Sequence, residues 1–157
     1  MPVNSKGGWM KKRGFEVVTK YKGQEITIPE RKTSGSAGYD FCAAETITIQ
    51  PKQVSFIPTG IKAFMSKDEV LQMYARSSLS FKKTLMKANS VGIIDSDYYN
   101  NPDNEGEINL ILYNYGDHPV TVSKGDRIAQ GVFMKYLTVD EDQNTIKRLG
   151  GFGSTGN

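Results

Sequence analysis

Five short segments hold residues whose types could do chemistry. One is Gly92-Ile93-Ile94-Asp95-Ser96-Asp97-Tyr98, two apolar strand residues ending in Asp-x-Asp. A carboxylate at a strand end can act as a base on water or help hold a metal ion. The same pattern fits an Asx turn that closes a strand. A second is Arg76-Ser77-Ser78. A guanidinium, two hydroxyls and free backbone N–H groups at a helix start make an anion site, and ordinary helix capping uses the same residues. A third is Gly150-Gly151-Phe152-Gly153-Ser154-Thr155-Gly156, preceded by Lys147 and Arg148. Its glycines let backbone N–H groups approach a phosphate, and its hydroxyls add donors. It is not a Walker A loop, because no Gly-Lys-Ser/Thr closes it and no helix follows. A Gly/Ser tail is the plainer reading, although Phe152 argues against a simple linker. The last two, Ser36-Ala37-Gly38-Tyr39-Asp40-Phe41 and Gly125-Asp126-Arg127-Ile128-Ala129-Gln130, read as turn-to-strand transitions.

The elements that must position these segments are mostly strands. Runs rich in β-branched and aromatic residues occur at Phe15–Tyr21, Glu25–Ile28, Thr46–Ile49, Val54–Ile57, Gly60–Phe64, Val70–Tyr74, Ile108–Asn114, Val120–Val122 and Ile128–Tyr136. Pro29, Pro51, Pro58, Gly116-Asp117 and Lys124-Gly125-Asp126 punctuate them. Thr46 to Ile49 alternates with period two, as a half-buried strand does. Many short strands at this spacing predict an all-β sandwich or a distorted jelly-roll-like barrel. One short helix is expected over residues 77–88, with the serines as N-caps. Residues 99–106, YNNPDNEG, form a polar, turn-rich insertion.

Composition narrows the class. The 157 residues fit one domain. The formal charge of +3 sits at one end. Residues 1–32 hold eight basic and three acidic side chains, and the remainder 12 basic and 14 acidic. The body is therefore no basic nucleic-acid surface, so a nucleic-acid partner is not expected. The expected organisation is a basic arm over residues 1–14, a β-domain over 15–147 and a mobile lid over 148–157. No apolar run approaches a membrane span, and no apolar signal segment opens the chain, so a cytoplasmic protein without a membrane partner is expected. Cys42 is the only cysteine, which excludes an intrachain disulfide, and it is expected to be a small buried residue. His118 is the only histidine and should be exposed. The hydrophobic fraction of 38% hints at stability borrowed from an oligomer.

AGYDF, ARSSL, GIIDSDYY, GDRIAQ and GGFGSTG occur in this order. The set resembles the five motifs of the trimeric dUTP diphosphatases (dUTPases), from about Ser34 to Gly156, closest in pattern to members from Gram-positive bacteria and their phages. That resemblance implies a β-clip, jelly-roll-like homotrimer with sites shared between subunits. It implies Mg²⁺-assisted hydrolysis of dUTP to dUMP and pyrophosphate, which keeps uracil out of DNA. By the resemblance, Asp95 activates the attacking water, and Tyr98 packs on the deoxyribose. Asn89, Gly92 and Ile94, with the backbone of a hairpin around them, read uracil. Arg76, Ser77, Ser78 and Gln130 bind phosphate. Asp40 holds Mg²⁺ through water. Arg148, Phe152, Gly153, Ser154 and Thr155 close over the nucleotide.

Three departures stand out. Arg148 to Phe152 is one residue shorter than the usual fifth motif, Lys147 takes the usual Arg position, and Arg148 is favoured as the phosphate contact. The insertion lies next to the sugar site, which makes Tyr99 or Asn100 a candidate contributor. Ala75 stands where many members have Pro. A dCTP deaminase shares the fold and is the alternative enzyme. A regulatory protein partner, bound through the insertion or the basic arm, is the alternative added role.

Overall fold

The computed structural model describes residues 10–151 and 153. Phe152, Ser154, Thr155 and most of the basic arm lie outside the described residues. The strands are β1 (Gly14–Val17), β2 (Tyr39–Cys42), β3 (Ile47–Ile49), β4 (Val54–Pro58), β5 (Ile61–Phe64), β6 (Glu69–Ala75), β7 (Leu85–Lys87), β8 (Gly92–Asp95), β9 (Asn109–Asn114), β10 (Val120–Val122) and β11 (Arg127–Lys135). Among the described residues a single α-helix, α1 (Ser77–Lys83), joins β6 to β7. The expected class, nearly all β with one short helix, is borne out. The strands lie in four antiparallel sheets rather than one closed barrel: β2-β11-β6-β8, β4-β9-β7, β1-β5 and β10-β3.

Side-chain alternation explains how the sheets share a core. In β9, Leu110, Leu112 and Asn114 point inward while their neighbours are half-exposed. The two leucines share a core with Phe41, Ile57, Leu71, Met73, Leu85 and Ile128, all fully or nearly fully buried, and Asn114 Nδ2 donates to Ile49 O and His118 O. The β2-β11-β6 layer closes tightly over Gly131. A Cβ there would lie 2.8 Å from the Phe41 ring and 2.9 Å from Leu71 Cδ1, so no side chain fits.

Several boundaries differ from the sequence expectation. The first run is a strand only to Val17; Thr19–Tyr21 turns as a 3₁₀ helix and carries Tyr21 into a buried position. Residues 25–28 form no ladder, and the first pairing after them is the bridge Glu30–Asp40. The helix stops at Lys83, because Thr84 takes a left-handed conformation (φ 53°) and Leu85 is drawn into the core as the start of β7. Arg76, not a serine, is its N-cap, and no side chain caps it. Cys42 is half-buried, with burial pushing its thiol pKa up, rather than enclosed. His118 is exposed, as expected. Arg13, within the expected arm, is tied to the buried Glu69.

Candidate active site

Two patches emerge, and β6 separates them. The first is built where β2, β11 and β6 run side by side. Gln130 of β11 is in register with Asp40 of β2 on one side and with Tyr74 of β6 on the other. Arg76 follows directly after β6, and Ser77 and Ser78 open α1. Asp40, Arg76, Ser77, Ser78 and Gln130 therefore share one neighbourhood, as their assigned roles require. Gly38 makes room for the glutamine: a Cβ at 38 would lie 2.6 Å from Gln130 Oε1.

Charge in this patch is balanced by arginine. Arg127 Nη1 donates to Asp40 Oδ2 at 3.2 Å, and Arg76 Nη1 stands 3.7 Å from the same oxygen. Arg127 was not singled out from sequence; only its ladder position beside β2 exposes it. The described residues hold no group of three or more His, Cys, Asp or Glu side chains that could cage a metal. Both arginines engage Oδ2 of Asp40, so a part for this carboxylate in holding Mg²⁺ would fit contact through water better than direct ligation.

The second patch lies at the end of β8. Asp95 closes that strand, and Ser96–Tyr98 turns immediately as a 3₁₀ helix. The Asp95 carboxylate is half-exposed, while Tyr98 is 5% exposed. Tyr98 Oη donates to Glu107 O at 2.9 Å and accepts from Asn104 Nδ2 at 2.8 Å. Burial raises the phenol's pKa. Arg148 bridges the two aspartates: Nη2 meets Asp95 Oδ2 at 2.5 Å and Nε meets Asp97 Oδ1 at 2.8 Å. Its guanidinium carbon lies 5.8 Å from the centre of the Tyr98 ring. Lys147 is exposed, so of the two neighbouring cations Arg148 is the one turned into the site.

Asn89 and Gly92 sit at the corner that leads into β8. The segment is no paired hairpin here, because β7 pairs with β9 and β8 pairs with β6. Ser90 makes the corner with a left-handed backbone (φ 58°). The Ile94 side chain packs in the core rather than facing the site. Lys87 was missed from sequence. It is 7% exposed, and its ammonium donates to Asn89 Oδ1. Burial lowers its pKa to about 8. Gly92 leaves its Nζ room, since a Cβ there would come within 2.9 Å.

The insertion turns different residues toward the site than expected. Tyr99 hydrogen-bonds Glu16 and packs on Phe64, and Asn100 accepts from Lys62 Nζ, so both face away from Asp95. Asn104 and Asp103 are the residues that reach Tyr98 and the tail.

Four of the five segments thus fall at strand ends, the first, second and fourth in one patch and the third in the other, and Arg148, just before the fifth, meets the third. A family model described as dUTPase matches residues 24–156. The chain belongs to the dUTPase family. It is 57% identical over 149 residues to a deoxyuridine 5'-triphosphate nucleotidohydrolase of Lactococcus lactis, covering 94% of this chain and 99% of that one. It is 40% identical to the protein of the same name from Treponema denticola, over 90% of this chain and 99% of that one. Among solved structures, a dUTPase from Streptococcus mutans superposes with a TM-score of 0.78 at 46% identity, covering 81% of this chain and 98% of the other. A dUTPase of Staphylococcus aureus phage phi11, described with a structural Mg(II) ion, shares the fold at a TM-score of 0.69 and 20% identity, covering 87% of this chain and 98% of the other. The Lactococcus and Streptococcus relatives agree with the Gram-positive pattern of the dUTPase motifs.

Proposed function

We propose that the chain hydrolyses dUTP to dUMP and pyrophosphate as a homotrimer with sites shared between subunits. The observation that carries this reading is the half-exposed Asp95 carboxylate beside the Tyr98 ring. Asp95 takes a proton from water, and the oxygen attacks the α-phosphorus. The bond to the bridging oxygen of the β-phosphate breaks, and pyrophosphate leaves with the bonding pair. Tyr98 lies against the sugar and leaves no room for a 2′-hydroxyl. Asn89 and the backbone near Gly92 meet the base. Arg76, Ser77, Ser78 and Gln130 take the phosphates, and Phe152, Gly153, Ser154 and Thr155 close the site. Mg²⁺ would neutralise phosphate charge and polarise the leaving group, and Asp40 would help to hold it through water.

The geometry of β6 supports the shared site. Asp95 is in register with Val70 at the start of that strand, while Arg76 follows its end. Six residues of extended chain separate them by roughly 20 Å at about 3.3 Å each. That separation favours a site in which the phosphate patch of one copy serves the Asp95 of another. Exposed apolar side chains, including Val54, Met86, Ile93, Leu137 and Val139, fit burial against such copies. No helix among the described residues is long and apolar enough to cross a membrane.

Pyrophosphate release is to be measured with Mg²⁺ and dUTP, dCTP, dTTP or UTP. A strong preference for dUTP supports the reading, and ammonia release from dCTP would replace it with deamination. Asp95→Asn keeps the shape and removes the base, so turnover should be lost while a non-hydrolysable dUTP analogue still binds.

A further inference from the structure

The insertion at residues 99–106 is internally bonded throughout. Asn101 Nδ2 donates to Tyr98 O and to Asn104 Oδ1, each at 2.8 Å. Asn101 Oδ1 accepts from the backbone N–H groups of Asp103 and Asn104 at 3.0 and 3.1 Å. Gly106 N–H donates to Asn104 Oδ1 at 3.1 Å. Gly106 has a φ of 87°, and a Cβ there would lie 2.7 Å from Tyr98 O, so only glycine closes the loop.

These bonds fix which way Asn104 faces. Its Oδ1 accepts from two donors, so its Nδ2 must point the other way, at Tyr98 Oη. The phenol is then held at both polar functions, its proton on Glu107 O and its lone pair on Asn104. With the ring buried as well, neither its plane nor its depth is free. The same asparagine lies under the tail. A Cβ at Gly151 would come within 3.0 Å of Asn104 Cγ, and Gly151 N–H donates to Asp103 Oδ2 at 3.3 Å.

We infer that Asn104 is a positioning residue that acts through Tyr98 to set the discrimination against a 2′-hydroxyl, and that the insertion is the base on which the sugar-facing ring rests. The inference rests on the reading of Tyr98 as the sugar-facing ring. Rejection of a 2′-hydroxyl is steric, so it depends on how firmly the ring is held. Releasing the ring lets UTP fit better and leaves the reacting groups unchanged.

The test compares kcat/KM for dUTP and UTP in the wild type, Asn104→Ala, Tyr98→Phe and the double variant. Asn104→Ala should lower the dUTP-to-UTP ratio about tenfold, the worth of roughly one hydrogen bond. Tyr98→Phe keeps the ring but removes the acceptor, and should cost a similar factor. The double variant should lose no more than either single change. A ratio unchanged within twofold in Asn104→Ala, or losses that simply multiply, would overturn the inference. Asn104→Asp keeps the acceptor that holds the loop and loses the donor, so it should show the same loss with a thermal midpoint near wild type. If Asn104→Ala fails to fold, that variant decides. Calorimetric binding of dUMP and UMP separates the two readings. Preference for dUMP without hydrolysis of dUTP would sink the proposed activity alone; no preference for dUMP in the wild type, or one that Asn104→Asp leaves intact, would sink the role of Asn104.

Discussion

Arg148 and Asp95 form an ion pair in which the guanidinium meets Oδ2 of the carboxylate proposed to take a proton from water. A second arm of the same guanidinium holds Asp97. In the closed site proposed above, the phosphates would compete for this cation. The arginine already stands beside Asp95, so on that proposal binding would need only to redirect it.

Arg148→Ala should lower kcat/KM for dUTP at least tenfold, measured by pyrophosphate release. The thermal midpoint should move by less than about 4 °C, since pairs to half-exposed carboxylates contribute ~0–1 kcal/mol. Arg148→Lys should not restore activity, because an ammonium cannot span both aspartates as a planar fork does. Lys147→Ala should have little effect. An active Arg148→Ala enzyme would remove this residue from the site.

The separation along β6 predicts complementation between dead chains. Asp95→Asn and Arg76→Ala variants should each be inactive as purified trimers. Unfolded together and refolded as a mixture, they should regain activity, because a mixed trimer contains one centre with both residues intact. Refolding with no gain would place Asp95 and Arg76 of the same chain in one centre and refute the shared site.

Lys87 predicts a pH-dependent stability. Its pKa falls from 10.5 in the unfolded chain to about 8 in the fold because burial penalises the charge. Between those values the unfolded chain binds more protons, so this group's contribution to stability rises with pH. Lys87→Met removes the penalty. It should be more stable than wild type at pH 7, and its advantage should shrink as pH approaches 9.5. Thermal midpoints of both proteins across this range measure it; an advantage that stays constant would contradict the burial.

Arg13 and Glu69 make the opposite case. Glu69 is 4% exposed and accepts from the Arg13 fork and from Ser66 N–H. The Arg13 bond holds its pKa below the usual carboxylate range. A lowered folded pKa contributes stability above the ordinary value of about 4.3 and loses it as pH falls toward the folded value. Arg13→Gln should cost about 1–2 kcal/mol in urea unfolding at pH 7, with the difference narrowing at pH 3. Equal stability at pH 7 would show the pair to be idle.

The segments proposed to carry chemistry were each weak alone and became legible in sequence only as five short motifs in one order. Asp95 and Tyr98 are three positions apart, and Arg76 adjoins Ser77. Ile47–Ile49 was legible from alternation, and Asn109–Asn114 from its β-branched and aromatic residues. What stayed hidden depends on long-range register. Arg127 is unremarkable until β11 pairs with β2 beside Asp40. Lys87 reads as a surface lysine because the alternation of Leu85, Met86 and Lys87 is too short to assign a face. Asn104 lies in a run of polar loop residues, any of which could have turned inward. The helix end was misplaced because Thr84 adopts a backbone conformation that its type does not announce.

The two ends of β6 also govern what damage to the gene would do. If each centre draws on two chains, a defective copy does not subtract only itself. In a trimer, a chain altered at Asp95 alone removes one centre of three. A chain altered at both Asp95 and Arg76 removes two, since it fails as the giver of the base to one centre and as the phosphate cradle of the next. A cell making such a chain beside the intact one would lose more activity than its share of defective protein.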